Sequence, residues 1–523
     1  MGRGRYHSTV NPQASRQKQA FFPAALRRRA VAAALLLCLL PSVLAPVRAA
    51  AQNLPNLGDT EREELSPTAE RKLGEQVMRE IRRDRDYLND APTLEYLNNF
   101  GATLLAAHPE ARGEAGFDFF FFVVRDPTLN AFALPGGFIG VHSALVLAAQ
   151  SESELASVLA HEIGHVAQRH IARMLGKQRQ DSLIPLASML LAALAARSRS
   201  DASAALMVGG EGLAAQRQLN FSRDAEREAD RVGLQILRDG GFDASGMVAF
   251  FGRMQNATRA YSDAPPFLSS HPMTTERMAD IQARIRGQRY RQRVDSLDFY
   301  LIKARLRILQ DDSGKGLQEA ADVFNSELEQ RNHSLTVAAK YGLALIAFKQ
   351  RQFDQAQALL QEARAALPAG SKPSPVLTSF SIDLKLARQP AEALHEATAA
   401  RAQFPLSRGI AMQYADALLA TGHNEEAARF LRDQSQMYRQ DSALQERLAK
   451  AYAATGKQAL QHLALAESYA LDGSLPAALE QLRIARRAPD ASFYDQAQID
   501  AREREFQTRY KEEAKENKGR FGG

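Results

Sequence analysis

A chain of 523 residues, 45% hydrophobic and 24% charged, has globular composition and the length for two or three domains with proper cores, which excludes a short or low-complexity polypeptide. The formal charge of +6 is no argument for nucleic acid, because the first 51 residues hold eight basic residues and no acidic one. Without them, 58 Lys and Arg face 60 Asp and Glu, a net charge of about −2, and the single cysteine, Cys38, is lost as well, leaving neither disulfide nor thiol nucleophile.

Residues 1–51 read as a secretory signal peptide. The apolar run "AVAAALLLCLLPSVLAP" follows the arginine triplet at 27–29, and Ala49 and Ala51 are small residues suited to cleavage before Gln52, with a cut after Ala49 as the alternative. An uncleaved anchor is the competing reading, but the proline-interrupted run falls short of the roughly 20 residues that span a bilayer. "LLL" before Cys38 is no lipoprotein box. Export without disulfides points to a bacterial periplasm.

Residues 52–290 alternate in texture. "SPTAERKLGEQVMREI" and "TLEYLNNFGATLLAA" carry helical periodicity, "FDFFFFVVRD" reads as a buried strand, and "NAFALPGGFIGVHSALV" as strand, Pro-Gly-Gly turn and strand. Ser151 and Glu154 form a capping box for "SESELASVLAHEIGHVAQRHIARML", which is expected to be helical throughout. Positions i and i+4 share a helix face, so His161 and His165 can bind one Zn²⁺ through imidazole nitrogens. Glu162, rotated by about 100°, falls beside the metal, where it can take a proton from the attacking water and pass it to the leaving amine. A third ligand in the HExxHxxGxxH style fails, because Gln168 replaces the glycine, Ile171 stands at the histidine position and His170 is one residue early. "NFSRDAEREADRVGLQIL" offers a better one: Glu226 completes a two-histidine, one-glutamate site, and Asp230 at i+4 can accept the second N–H of a zinc histidine. Glu228 competes with Glu226 but points to a different face from Asp230. His142 and His170 are expected to be structural.

From 291 to 500 almost nothing favours strand, and alanine-rich helix pairs recur. Aligning Ala356, Ala393, Ala427 and Ala478 gives intervals of 37, 34 and 51, of which one equals the 34-residue tetratricopeptide unit. Pro368 and Pro405 then fall where units end and Gly422 and Gly473 in inter-helix turns, while the long interval holds an extra helix, "SALQERLAKAYAATG". This is an irregular array of four or five units with a concave face for a protein partner, the alternative being a helical domain with no binding role. Residues 501–523 read as a charged helix fraying into a tail.

"HEIGH" and "EREAD", preceded by "NAFALPGG" and followed by "SSHPMTTER", resemble the metallopeptidase family that includes HtpX and the CAAX prenyl proteases. The resemblance is closest to its periplasmic branch, which joins a soluble catalytic domain to tetratricopeptide (TPR) repeats behind a signal peptide, and it covers the chain from about Leu54 to the end. It implies an α+β zincin-like (gluzincin) metallopeptidase domain followed by an all-α TPR solenoid. It also implies one Zn²⁺ per chain held by His161, His165 and Glu226, with Glu162 as general base. The implied role is outer-membrane protein quality control: protein substrates that are unfolded or misassembled, and the β-barrel assembly machinery as the partner docked by the repeats. Asn130, Ala131, Phe132 and Ala133, with Gly136 and Gly137, form either an edge strand that pairs with substrate or an ordinary hairpin under the core. His271 is either a solvated loop histidine or a fourth ligand that displaces the catalytic water and holds the enzyme latent. Arg277 either anchors that loop, polarises a substrate carbonyl or makes a structural ion pair. Residues 183–212 form a lid, a peripheral membrane contact or buried core. Two functions stand: a zinc endopeptidase cutting misassembled envelope proteins, and a chaperone-like scaffold whose proteolysis is latent or dispensable. A prenyl-protein protease is a poor third, since the chain lacks several spanning helices.

Overall fold

The computed structural model describes residues 65–113, 116–176, 221–260, 266–287, 293–330 and 332–521. Residues 1–51, which the sequence suggests are a signal peptide, and residues 183–212 lie outside the described residues, as does the glycine pair at 522–523.

Local chemistry starts the first helices. Ser66 accepts the Ala69 amide at 3.3 Å and Pro67 occupies the first turn of α1 (Pro67–Arg83), where a missing N–H costs nothing. Asp90 accepts the Thr93 amide at 3.1 Å to open α2 (Ala91–Ala106). After a short turn of 3₁₀ helix, three strands follow: β1 (Phe120–Val124), β2 (Ala131–Leu134) and β3 (Phe138–His142). β3 is central, parallel to β1 and antiparallel to β2, which leaves β2 at the edge. The aromatic run is buried on both faces by the period-two pleat. Phe121, Val123, Ile139 and Val141 join the core shared with α2, whereas Phe122, Phe132, Leu134 and Phe138 pack with Leu73, Val77 and Met78 of α1. Gly136 and Gly137 make the β2–β3 turn at φ +76° and +91°, a region L side chains rarely adopt. The turn lies close against α1: a Cβ on Gly136 would stand 2.8 Å from Arg71 Cα.

Behind α3 (Ser143–Ala148), the histidine helix is α4 (Glu152–Ala167). Ser151 accepts the Glu154 amide at 3.2 Å, and Glu154 reaches back to the Gln150 amide at 2.6 Å, one residue earlier than a standard capping box. Every residue from Glu152 to Val166 is buried; Leu155, Val158, Leu159 and Ile163 each contribute roughly 1.5–3 kcal/mol of burial. The helix is not continuous to residue 175 as its composition suggests. Arg169 takes φ +51°, ending α4, and α5 (His170–Gly176) departs in a new direction. The guanidinium of Arg169 holds the break by binding Glu70 Oε2 at 3.1 Å and the Leu65 carbonyl.

The carboxylate helix α6 (Arg223–Asp239) packs on α4 at a crossing made by two glycines. A Cβ on Gly233 would lie 2.9 Å from Ala160 O and His161 Cα, and one on Gly164 would lie 2.9 Å from Ala229 O. Next come α7 (Ser245–Ala260), α8 (Pro266–Ser270) and α9 (Thr275–Ile285).

Helices α10 (Leu297–Gln310), α11 (Gly314–Glu329), α12 (His333–Lys349), α13 (Phe353–Ala365), α14 (Pro375–Leu386), α15 (Pro390–Gln403), α16 (Arg408–Ala420) and α17 (Asn424–Met437) follow, mostly packing on their neighbours. The array ends with α18 (Ser442–Ala454), α19 (Gln458–Leu471), α20 (Leu475–Arg487) and α21 (Phe493–Phe521). Ala356, Ala393, Ala427 and Ala478 lie on α13, α15, α17 and α20, each fully buried. The extra helix of the 51-residue interval is α18. The final helix does not fray at its middle; α21 runs to Phe521. One core continues across position 290, since Phe299, Ile302 and Leu306 of α10 pack with Leu145 and Phe242. Polar ties reinforce it: Arg305 binds Asp90 in a bidentate pair at 2.6–2.8 Å, and Glu152 accepts from Tyr96 Oη at 3.0 Å and Ser296 Oγ at 2.6 Å. Among the described residues no helix is long and apolar enough to cross a membrane.

Candidate metal centre

The crossing of α4 and α6 brings together side chains that sequence alone could only pair by type. Ligand atoms of His161, His165, Glu226 and His271 all lie within 4.8 Å of one another, and all four residues are buried. His161 Nε2 stands 3.1 Å from His165 Nε2 and 3.5 Å from Glu226 Oε2, and His165 Nε2 is 3.5 Å from Glu226 Oε1. His271, delivered by the turn between α8 and α9, points Nδ1 at Glu226 Oε1 (2.9 Å) and at His161 Nε2 (3.4 Å). It is therefore no solvated loop histidine.

The donor set fits a divalent cation. Three imidazoles and a carboxylate converge in a buried pocket, and an imidazole nitrogen that carries no hydrogen offers a lone pair to a cation, as a carboxylate oxygen does. Burial drives His165 well below its ordinary value, so its ring is neutral. For Glu226, burial opposes the charged form, but His271, His161 and His165 outweigh it and hold the carboxyl well below the usual carboxylate range. Glu162, fully buried, has no hydrogen-bond partner for either oxygen among the described residues, while His271 Nε2 stands 3.5 Å from its Oε1. A buried carboxylate without donors is costly, which is the condition of a base waiting for water.

Asp230 lies where its i+4 spacing from Glu226 suggests, with Oδ1 3.1 Å from His161 Nδ1. Burial pushes His161 down, but Asp230 and Glu226 more than offset it and raise it to about 9. Arg277 grips Asp230 with two bonds of 2.7 Å, meets Glu226 Oε2 at 2.7 Å and donates to the Pro272 carbonyl at 2.9 Å. Of its three possible roles, the geometry realises the loop anchor and the ion pair. Asn130, Ala131, Phe132 and Ala133 occupy or adjoin β2, which carries no strand on its outer side among the described residues. His142 is structural, held by Thr128 Oγ1 at 3.1 Å and Asp126 at 3.4 Å.

Two features escape sequence reasoning. His170 is more than structural packing: its Nδ1 lies 2.9 Å from His165 Nδ1, and its Nε2 lies 3.1 Å from Glu228 Oε2. Phe221, Phe251 and Phe267 wall the cluster, with the Phe221 ring 4.0 Å from that of His165 and the Phe267 ring 4.8 Å from that of His271. No spacing rule announces these phenylalanines; the only trace of the first feature is a histidine five residues after His165.

Residues 75–285 match the model of Peptidase family M48. A beta-barrel assembly-enhancing protease of Escherichia coli (strain K12) is 32% identical over 464 residues, covering 88% of this chain and 93% of that protein. A putative beta-barrel assembly-enhancing protease of Vibrio cholerae is 38% identical over 335 residues, 62% of this chain and 67% of that one. The mitochondrial metalloendopeptidase OMA1 of Schizosaccharomyces pombe is 30% identical over 222 residues, 42% of this chain and 62% of its own.

Proposed function

We propose, for a chain that belongs to peptidase family M48 and is a zinc metalloprotease, that it is an exported endopeptidase degrading misassembled outer-membrane proteins and assisting β-barrel assembly. The observation that carries the catalytic part is the convergence of His161, His165 and Glu226 beside a buried Glu162 whose oxygens accept no hydrogen bond among the described residues. The envelope part is supported by relatives named for β-barrel assembly, one of them similar along 88% of the chain, and by the signal-like residues 1–51.

His161, His165 and Glu226 would hold one Zn²⁺. When bound, the metal supplies a Lewis acid that polarises a scissile carbonyl and acidifies water. Glu162 accepts the proton of the attacking water and returns it to the leaving amine. Asp230, neutralised by Arg277, holds His161 with Nε2 turned to the site. An extended substrate adds to the open edge of β2, where main-chain hydrogen bonds give sequence-tolerant affinity suited to unfolded clients. Helices α12 to α20 act as TPR-type repeats that dock clients or the assembly machinery. His271, with Nδ1 2.9 Å from Glu226 and 3.4 Å from His161, would add a fourth ligand and keep the enzyme latent until its loop moves.

That contact favours one second reading: a scaffold whose repeats do the work while proteolysis stays dispensable. Replacing Glu162 with Gln separates them. Loss of cleavage of an unfolded outer-membrane β-barrel protein, together with loss of assembly support in cells, with zinc content unchanged by elemental analysis, supports the protease. Assembly support retained in full by Glu162→Gln assigns the main role to the scaffold. Zinc absent from the metal-replete wild type, or retained in His161→Ala and Glu226→Ala, would overturn the ligand assignment.

A further inference from the structure

The two histidines of α4 are held differently from behind. His161 Nδ1 faces a carboxylate directly, Asp230 at 3.1 Å, and that carboxylate is neutralised by Arg277. His165 Nδ1 faces a second imidazole instead, His170 at 2.9 Å, and only beyond that ring comes a carboxylate, Glu228 Oε2 at 3.1 Å from His170 Nε2. Arg173 Nη2 completes the chain at 3.2 Å from Glu228. His165 and His170 are both buried, so neither ring nitrogen can trade its partner for bulk water.

The helix break makes this chain possible. In an uninterrupted helix, five residues of about 100° each would leave His170 some 140° around the axis from His165, facing elsewhere. The left-handed Arg169, fastened to Glu70 and Leu65, starts α5 afresh and swings the His170 ring back under His165.

Proton positions follow from counting donors. His165 turns Nε2 toward His161 and Glu226, so a neutral ring that keeps this lone pair for a cation carries its hydrogen on Nδ1. His165 Nδ1–H then donates to His170 Nδ1, which must be bare. His170 in turn carries its hydrogen on Nε2 and donates it to Glu228, which as a carboxylate can only accept. One orientation of both rings satisfies every atom, and Glu228 at the far end sets it.

We infer that His170 and Glu228 are positioning residues: a histidine-to-carboxylate relay that locks His165 in the Nδ1–H tautomer and thereby tightens metal binding without either of them being a ligand. The inference rests on reading the cluster as a metal site. It explains why Glu228, the competing ligand candidate by sequence, points away from Glu226 yet matters to the same centre. The asymmetry has a chemical consequence. A carboxylate in direct contact enriches His161 as a donor, whereas a neutral relay orients His165 without adding a second anion against the site.

The test uses the full mature chain and two substitutions at one position. His170→Phe keeps a ring of similar size and removes the acceptor; His170→Asn keeps an acceptor oxygen near the position of Nδ1. Zinc affinity is read by competition with a chromophoric chelator, and the Co²⁺-substituted proteins are compared by their visible ligand-field bands. His170→Phe is expected to weaken zinc binding by about 10–100-fold and shift the Co²⁺ bands, with His170→Asn restoring most of the affinity and the wild-type spectrum. Glu228→Leu, at a partly exposed position, weakens binding in the same direction by a smaller factor. Two results overturn the relay while leaving the metal site intact: a His170→Phe variant with wild-type affinity and spectrum, or a folded His170→Asn variant as impaired as His170→Phe. A wild-type protein that binds neither zinc nor cobalt sinks the metal reading itself, and the relay with it.

Discussion

The α4–α6 crossing invites a direct perturbation, Gly233→Ala. An added methyl would meet Ala160 O, His161 Cα and His161 N at 2.9 Å, all of them backbone atoms that no rotamer change can move aside. Helices α4 and α6 must separate by a few tenths of an ångström, which typically costs about 1–3 kcal/mol of overpacking. Alanine also gains about 1 kcal/mol of helix propensity over glycine, so the net stability change alone is ambiguous. Gly252→Ala on α7 removes that ambiguity, because its Cβ meets nothing within 4 Å and the propensity gain is the same. The difference between the two variants in urea denaturation isolates the steric cost, expected at about 1–3 kcal/mol. Glu226 lies seven residues before Gly233, two turns along the same face, so parting the helices also draws it from His161. Zinc affinity should therefore fall by about tenfold for each 1.4 kcal/mol of distortion transmitted to the site, and only in Gly233→Ala. Equal stabilities for the two variants, with equal zinc affinities, would refute the claim that this glycine contact sets the metal geometry.

Other outcomes follow from single contacts. His271→Ala removes the donor that stands 2.9 Å from Glu226 and should raise peptidase turnover on an unfolded protein; unchanged or lower turnover argues against latency. Arg305→Leu strands the largely buried Asp90 and should cost about 3 kcal/mol or more in urea denaturation, a loss below about 1 kcal/mol showing that the pair matters little. Asp383 is raised from 3.8 to about 6 chiefly by burial, partly countered by Arg305 and by the Gln413 hydrogen bond. Its native form therefore holds more protons than its unfolded form between those values, so this group's contribution to stability is fullest below pH 3.8 and is lost as pH rises to about 6. Discounted for partial exposure, Asp383→Asn should be about 1–2 kcal/mol more stable at pH 7 and flatter through that window; parallel stability curves would exclude the assignment.

Much of the centre is legible in one dimension because helices are periodic. His161 and His165, and likewise Glu226 and Asp230, are i and i+4 pairs, and a helix places such pairs on one face whatever surrounds it. The aromatic run reads as a buried strand for the same reason, its alternate residues serving two cores. The four aligned alanines are all fully buried on helices of the C-terminal region. Glu162 is legible from its neighbours, but that its carboxylate accepts no hydrogen bond among the described residues becomes visible only once the pocket around it exists.

What the sequence by itself determined is therefore which residues share a helix face and which chemistry they can supply. Tertiary structure decided which faces meet. Periodicity carries no information about a contact 110 residues away, so the entry of His271 beside His161 depends on how α8 and α9 pack, with Arg277 tying the loop to Asp230. Nor does it mark where a helix stops: a left-handed arginine has no sequence signature, yet at Arg169 it redirects His170 from an unrelated face to the back of His165. Helical faces are fixed by bonds between near neighbours, whereas their meeting is fixed by the burial of the whole chain.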